Sequence, residues 1–198
     1  MGTDAVAPTP LSALRELCNQ AKVSDEARAL LSDDFATKEF IAFLVEKEMF
    51  PDALRLIAHL LPKREAIGWG CLCLRYTFAE GKAAPDVQVA AERWVYDPSE
   101  ENRWAARRMA DAEDPNTASG LLALAVYFAG PSLAPPNYPQ PVPPPPGLTS
   151  AMVANAVVLA GVAKDPEKAN DKYRVFMQKA ATLMARMQQR AQESTSSG

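Results

Sequence analysis

Nine of the chain's 17 prolines fall between Pro131 and Pro146. Proline fixes φ near about −65° and has no N–H to donate, so residues 132–147, SLAPPNYPQPVPPPPG, can join neither a helix interior nor a central strand. The stretch is confined to polyproline II or an irregular extended arm. An arm of this kind loses little entropy on ordering, which predicts an intramolecular strap across a helical surface, anchored by Leu133, Tyr138 and Val142. The alternative is an exposed ligand for a proline-recognition module. Tyr138 is also a candidate partner contact.

Outside that stretch the chain reads as one amphipathic helix after another. Leu11, Leu14, Leu17, Cys18 and Ala21 share a helical face, and Ser24 can cap the run that follows. Phe40, Ile41, Leu44 and Val45 form one stripe of a helix that begins at Thr37. Pro51 and Pro62 sit at helix starts, where a missing N–H does no harm. The helix after Pro62, KREAIGWGCLCLRYTFAE, is apolar nearly all round and is predicted to be the buried centre of the first half. In the second half, Asp97, Pro98 and Glu100 look like an acidic cap, a proline at the first helical position and a capping-box glutamate. Thr149 is placed to cap an alanine and valine helix ending at Val162, and Asp165 with Pro166 starts a long last helix. No alternating run bounded by turn signals marks a strand. The expected fold is all-α: about nine or ten helices in a compact bundle or a short helical-hairpin solenoid. Residues 10–192 form the single domain, with the strap at 132–147 and the last helix at 166–192. Residues 1–9 and 193–198 are expected to be disordered.

Charge and cysteine content narrow the function classes. With 48% hydrophobic and 23% charged residues, 198 residues can bury a full core. A net charge of −3 offers no nucleic-acid footprint and no polybasic membrane anchor. The apolar run AMVANAVVLAGVA is shorter than the roughly 20 residues of a bilayer span, so no membrane insertion is expected. Three cysteines without framework spacing and an N-terminus lacking a basic n-region predict a cytoplasmic protein.

Catalytic motifs are not found. His59, the one histidine, shares a helix side with Asp52 and Arg55 and reads as a partly exposed surface residue rather than a tuned base. Cys71 and Cys73, two apart in a helix, point about 200° from each other and cannot share a metal. No cofactor and no metal site is expected. Gly68 and Gly70 flank Trp69, and two helical glycines imply close approach of neighbouring helices. Arg75, on the same apolar helix, calls for a carboxylate partner such as Glu92, or else a place at the floor of a groove, and structural pairing is the expectation.

Two surfaces stand out for recognition. Arg103, Trp104, Arg107 and Arg108 share one helix, and arginine with tryptophan is the composition of interface hot spots. On the last helix, Tyr173, Phe176, Ala180, Leu183, Met187 and Arg190 keep three-and-four spacing. Met177 and Met184 widen that apolar face, and methionine surfaces adapt to varied partners. Tyr173, Met177 and Met184 are therefore partner-binding candidates as well.

The run Leu61, Pro62, Lys63, Arg64, Glu65 and Ala66, together with Trp69, Cys73, Arg75, Trp94, Pro98, Arg103 and the proline strap, resembles an uncharacterised bacterial family. That family is a domain of unknown function often encoded near type VI secretion genes, and the resemblance spans about residues 25 to 180. It marks Trp69, Arg75, Trp94 and Pro98 as structural positions. It transfers no catalytic residue, and it implies an accessory to a contractile secretion apparatus, an adaptor or an effector chaperone. The expected function is therefore a protein–protein interaction module rather than an enzyme, its partner a secretion component or effector. A carboxylate-based enzyme or an immunity protein is the alternative.

Overall fold

The computed structural model of the chain describes residues 10–78, 83–114, 116–135 and 137–196. They form ten α-helices: α1 (Pro10–Ala21), α2 (Asp25–Ala29), α3 (Thr37–Glu46), α4 (Phe50–Leu60), α5 (Lys63–Thr77), α6 (Asp86–Tyr96), α7 (Glu100–Ala112), α8 (Ala118–Ala129), α9 (Leu148–Val162) and α10 (Ala169–Ser196). A 3-10 turn, Pro166–Lys168, leads into α10. No strand occurs among the described residues, so the protein is all-α. No single helix among them is long and apolar enough to cross a membrane. The expected N-terminal segment 1–9 lies outside the described residues. At the other end α10 continues past the expected stop at 192 as far as Ser196.

From α5 onward each helix packs on the next, as hairpins joined by short connections do. Contacts of α9 with α4 and α5, and of α10 with α5, close the row on itself. The result is the bundle of the two expected architectures and not an open solenoid. Its centre is shared more widely than the apolar character of α5 suggests. Leu72 and Tyr76 of α5 stand 49% and 50% exposed, whereas α8 and α9 bury nearly every side that α5 leaves open. Small residues on α9, among them Ala154, Ala156 and Ala160, let α4, α5, α8 and α10 approach it together.

A smaller core sits at the N-terminal end. Leu14, Cys18, Val23, Phe40 and Leu44 pack against Ala53 and Leu56 of α4. The opposite side of α4, through Leu54, Ile57 and Ala58, belongs to the main core. This two-sided burial explains Asp52, which is 5% exposed rather than on a polar face. Its carboxylate accepts from the Ser24 backbone N–H and hydroxyl at 2.8 and 2.9 Å and so ties α4 to the start of α2. Ser24 in turn caps α2 by accepting from Ala27 N–H, as expected.

Other helix ends differ from their expected form by one or two residues. The cap of α7 is Ser99, whose hydroxyl accepts from Asn102 N–H. Asp97 is the last residue of the α6 turn and receives the Asn102 amide instead, while exposed Pro98 lies between the two helices. At α9 the cap is Gly147, in the left-handed region at φ 74°, and Thr149 lies inside the first turn, buried. Thr149, already helical at the second position, lacks the extended backbone from which a cap side chain reaches the first-turn N–H groups, and its buried hydroxyl has no hydrogen-bond partner among the described residues.

Gly68 and Gly70 do admit neighbours. A side chain at Gly70 would stand 2.6 Å from Leu122 Cδ1 of α8, and one at Gly68 3.3 Å from Val95 of α6. Between them Trp69 is fully buried, and its indole N–H donates to the Phe176 carbonyl of α10 at 2.8 Å. Trp94 is also buried. Trp69→Phe, which removes that donor and leaves a small void, should lower stability by about 1–3 kcal/mol in urea unfolding. An unchanged midpoint would show that α10 is held by its other contacts.

Candidate functional site

The arginine and tryptophan face of α7 is turned largely into the fold. Arg103 is 2% exposed. Its guanidinium donates to both Glu100 carboxylate oxygens at 2.8 and 2.6 Å and to the Tyr127 carbonyl at 2.9 Å, near the end of α8. It lies over the Trp104 and Tyr127 rings, which meet edge to face at 5.4 Å. Arg107 also lies against the Tyr127 ring, 4.8 Å from its centre, and pairs with Asp111. A side chain at Gly130 would collide with Arg103, so the chain leaves α8 through the one residue type that the guanidinium tolerates. The Arg103 hydrogen bonds hold the Glu100 carboxyl below its ordinary range against partial burial, with the Arg103 charge adding to the effect. Arg103 is therefore spent internally, and of the four residues expected to meet a partner only Arg108 is exposed.

The proline stretch is held at its neck. Leu133 N–H donates to the Val142 carbonyl at 2.7 Å, and the Ser132 hydroxyl accepts from Val142 and Ala134 N–H groups. Tyr127, already stacked on Arg103, donates its hydroxyl to the Leu133 carbonyl at 2.6 Å. The expected side-chain anchors are not what fixes it: Tyr138 is 59% and Val142 46% exposed, and only Leu133 is half-buried. Hydrogen bonds at the two ends of a stiff loop restrain its middle without seating it.

Along α10 the apolar face divides. Tyr173, Phe176 and Ala180 are buried in the main core, so Tyr173 is not available to a partner. Met177, Leu183, Met184 and Met187 are half-buried, and from Gln188 to Ser194 every residue is exposed. The C-terminal half of α10 thus rises from the body with an open depression on each side. On one side a groove of about 840 Å³ runs between α3, α4 and α10, with Met177, Met184 and Met187 on one wall and Ile41, Val45 and Leu60 on the other. Leu60 is 41% exposed there. On the other side a cleft of about 550 Å³ lies between α5, α6 and α10, lined by Arg64, Arg75, Arg186 and Arg190 around Leu72 and Leu183. Met187 borders both.

Arg75 has the expected partner but not the expected burial. Its guanidinium forms two parallel bonds to Glu92, at 2.6 and 2.5 Å, with 46% of its side chain exposed on the cleft wall. Burial draws the Glu92 carboxyl upward, but hydrogen bonds from Arg75 and Gln88, with the Arg75 charge, more than offset this and hold it below its ordinary range. An ion pair with this much solvent contact contributes little to stability, unlike the buried pair that the apolar helix suggested.

The three cysteines are free and buried. Burial pushes the Cys18 thiol up to about 11 and Cys71 to about 12, and Cys73 moves the same way. These are protonated core groups, the reverse of a nucleophile's tuning. His59 is half-buried, with Nδ1 2.9 Å from the Arg55 carbonyl and Nε2 toward Gly147. Among the described residues no three His, Cys, Asp or Glu side chains gather as metal ligands would.

Removing Arg103 breaks its bonds to Glu100 and Tyr127 and opens a void beneath Trp104. Arg103→Ala should lower stability by about 2–4 kcal/mol, while Arg108→Ala on the same helix stays within about 0.5 kcal/mol, both read by urea unfolding. The thiols predict a pH dependence. An unfolded thiol releases its proton near its ordinary 9.0, whereas folded Cys71 keeps it to about 12. The unfolded state then binds fewer protons, so stability is fully present below pH 9 and falls as pH rises toward 12. Thermal melts across that range should show the decline, and a Cys71→Ala variant should reduce it.

No curated protein and no solved structure matches the chain. A family model does: it spans residues 40–184, from the middle of α3 to Met184 where α10 leaves the core, and the chain belongs to this family of unknown function, DUF6931.

Proposed function

We propose that the protein is a binding module that grips a helical segment of a partner protein in the groove between α3, α4 and α10. The observation that carries this reading is the groove itself: an open, largely apolar channel bordered by three helices, with three methionines on one wall and Leu60 exposed on the other. An amphipathic helix lays its apolar stripe into such a channel. Flexible methionine side chains repack around differing side chains, which suits a module serving more than one client. Two of the residues singled out in the sequence, Met177 and Met184, line it.

The setting of the proposal, an adaptor or effector chaperone beside a type VI secretion apparatus, comes from the family resemblance and not from the groove. A carboxylate-based enzyme finds less support. The acids whose protonation is displaced, Glu92 and Glu100, are both displaced downward by arginine partners, and a general acid needs the opposite.

A photo-cross-linking residue at exposed Ala181 on the groove wall, introduced in the native host, should join the chain to a helical segment of a defined protein. Leu60→Asp should abolish that product, with the melting temperature kept because Leu60 is already part-exposed, and Arg108→Ala should leave it intact. A product insensitive to Leu60→Asp, or formed equally from a cross-linker at Tyr96, would overturn the groove as the site. If the joined protein belongs to no secretion system, the setting falls while the groove stands.

A further inference from the structure

The cleft on the far side of α10 differs from the groove in its charge. Four guanidinium groups line it against two carboxylates, Glu65 and Glu92, in a chain whose net charge is −3. Two of the four are committed: Arg64 donates to the Val95 and Tyr96 carbonyls at the end of α6, and Arg75 to Glu92, which also accepts from Gln88. Arg186 and Arg190 have no acidic partner among the described residues. They lie four residues apart, on one side of an exposed helix, with Leu72 and Leu183 in the cleft beside them. Of the groove's two charged lining residues, Arg174 is already paired with Glu48 and Asp171, and Lys38 has no acidic partner among the described residues.

We propose that the partner segment is acidic, and that the cleft receives its carboxylates on Arg186 and Arg190 while the adjoining groove holds its apolar stripe. This rests on the groove reading above. Continuity is supplied by Met187, which borders both depressions, so one partner element can engage the two sides of α10. Arginines one helical turn apart, roughly 5–6 Å between their Cβ atoms, match carboxylates repeated at the same interval on a peptide. A free phosphate asks for something else, several fixed donors converging on one point, and here the two fixed arginines already have partners. A second copy of the chain is disfavoured for another reason. An α10 laid against its own image would set Lys179, Arg186 and Arg190 near like charges.

The test uses the full chain and capped synthetic helices of about 16 residues, with leucines at i, i+4, i+7 and i+11 and flanking positions filled by Glu, Gln or Lys. Fluorescence anisotropy should show the Glu peptide binding about tenfold tighter than the Gln peptide at about 50 mM salt, the gap closing near about 300 mM, and the Lys peptide not binding. Arg186→Gln with Arg190→Gln should remove the preference for Glu while leaving Gln-peptide binding and the melting temperature as in the unaltered protein. Leu60→Asp should weaken both. If Glu and Gln peptides bind alike and Leu60→Asp weakens both, the acidic partner is refuted and the groove reading survives. If no peptide binds, both fail, because a methionine-walled groove is permissive to sequence. Two further results would also overturn the proposal: displacement of the Glu peptide by millimolar inorganic phosphate, or a doubling of mass in light scattering that the arginine double variant abolishes.

Discussion

The hydrogen bond from the Trp69 indole to the Phe176 carbonyl fixes where α10 lies, and most of what distinguishes this molecule follows from that placement. A buried N–H without a partner is costly, so the fully enclosed Trp69 favours an α10 that crosses α5 with a carbonyl at that point. The glycines on either side of Trp69 let α6 and α8 close around the same helix, which leaves the indole no other exit. Once Tyr173, Phe176 and Ala180 are seated, the straight continuation of a 28-residue helix carries its second half beyond the body. The two depressions flanking α10 result from that overhang.

An overhanging helix with an apolar face is unusual for a chain that buries its other helices so fully. Alanine, arginine and glutamine, which dominate α10 beyond Met184, favour the helix intrinsically and keep it formed where packing ends. The half-buried methionines nearest the body are the residues that tolerate partial exposure with least loss of order, since their side chains adapt to whatever lies against them. The family match ends at Met184, close to the boundary between packed and projecting helix.

The fold was legible in the sequence where local chemistry decides it. Ser24 before an acidic first turn, Pro51 near the start of α4 and two glycines in an apolar helix each act within a few residues, and each does in the structure what its type allows. What the sequence hid depends on contacts made at long range. Asp52 looks like a surface residue on a helical wheel because its partner, Ser24, lies 28 residues away. Arg103 looks like an interface residue because the composition of a hot spot, arginine beside aromatics, is also the composition of a buried cation stack. Only the path of α8 and the glycine after it show which of the two applies. The proline stretch was legible as stiff, yet whether a stiff loop is seated along its length or pinned at its ends depends on where Tyr127 stands. Of the candidate contacts, Met177 and Met184 could be recognised from spacing. Arg186 and Leu60, on the walls to either side, could not, because nothing local marks a residue as facing a gap between helices.

The two arginine groups illustrate how one residue type serves opposite ends. Arg103 is desolvated, its guanidinium bonded to Glu100 and the Tyr127 carbonyl and lying over two aromatic rings, so it fixes one arrangement of α7, α8 and the neck of the proline loop. Changing its surroundings would strand a buried charge. Arg186 and Arg190 stay hydrated on a projecting helix, where an uncompensated charge costs little and can be taken up by a ligand at little further loss. The rigid stack lies on α7 and α8, and the adaptable surface lies along α10, which contacts α4, α5 and α9. Under the proposed binding role, a change of occupant at α10 would be absorbed by methionine rotamers and solvated arginines without disturbing the Arg103 network. That separation of a fixed frame from a permissive face is what the proposed binding of varied helical segments would require.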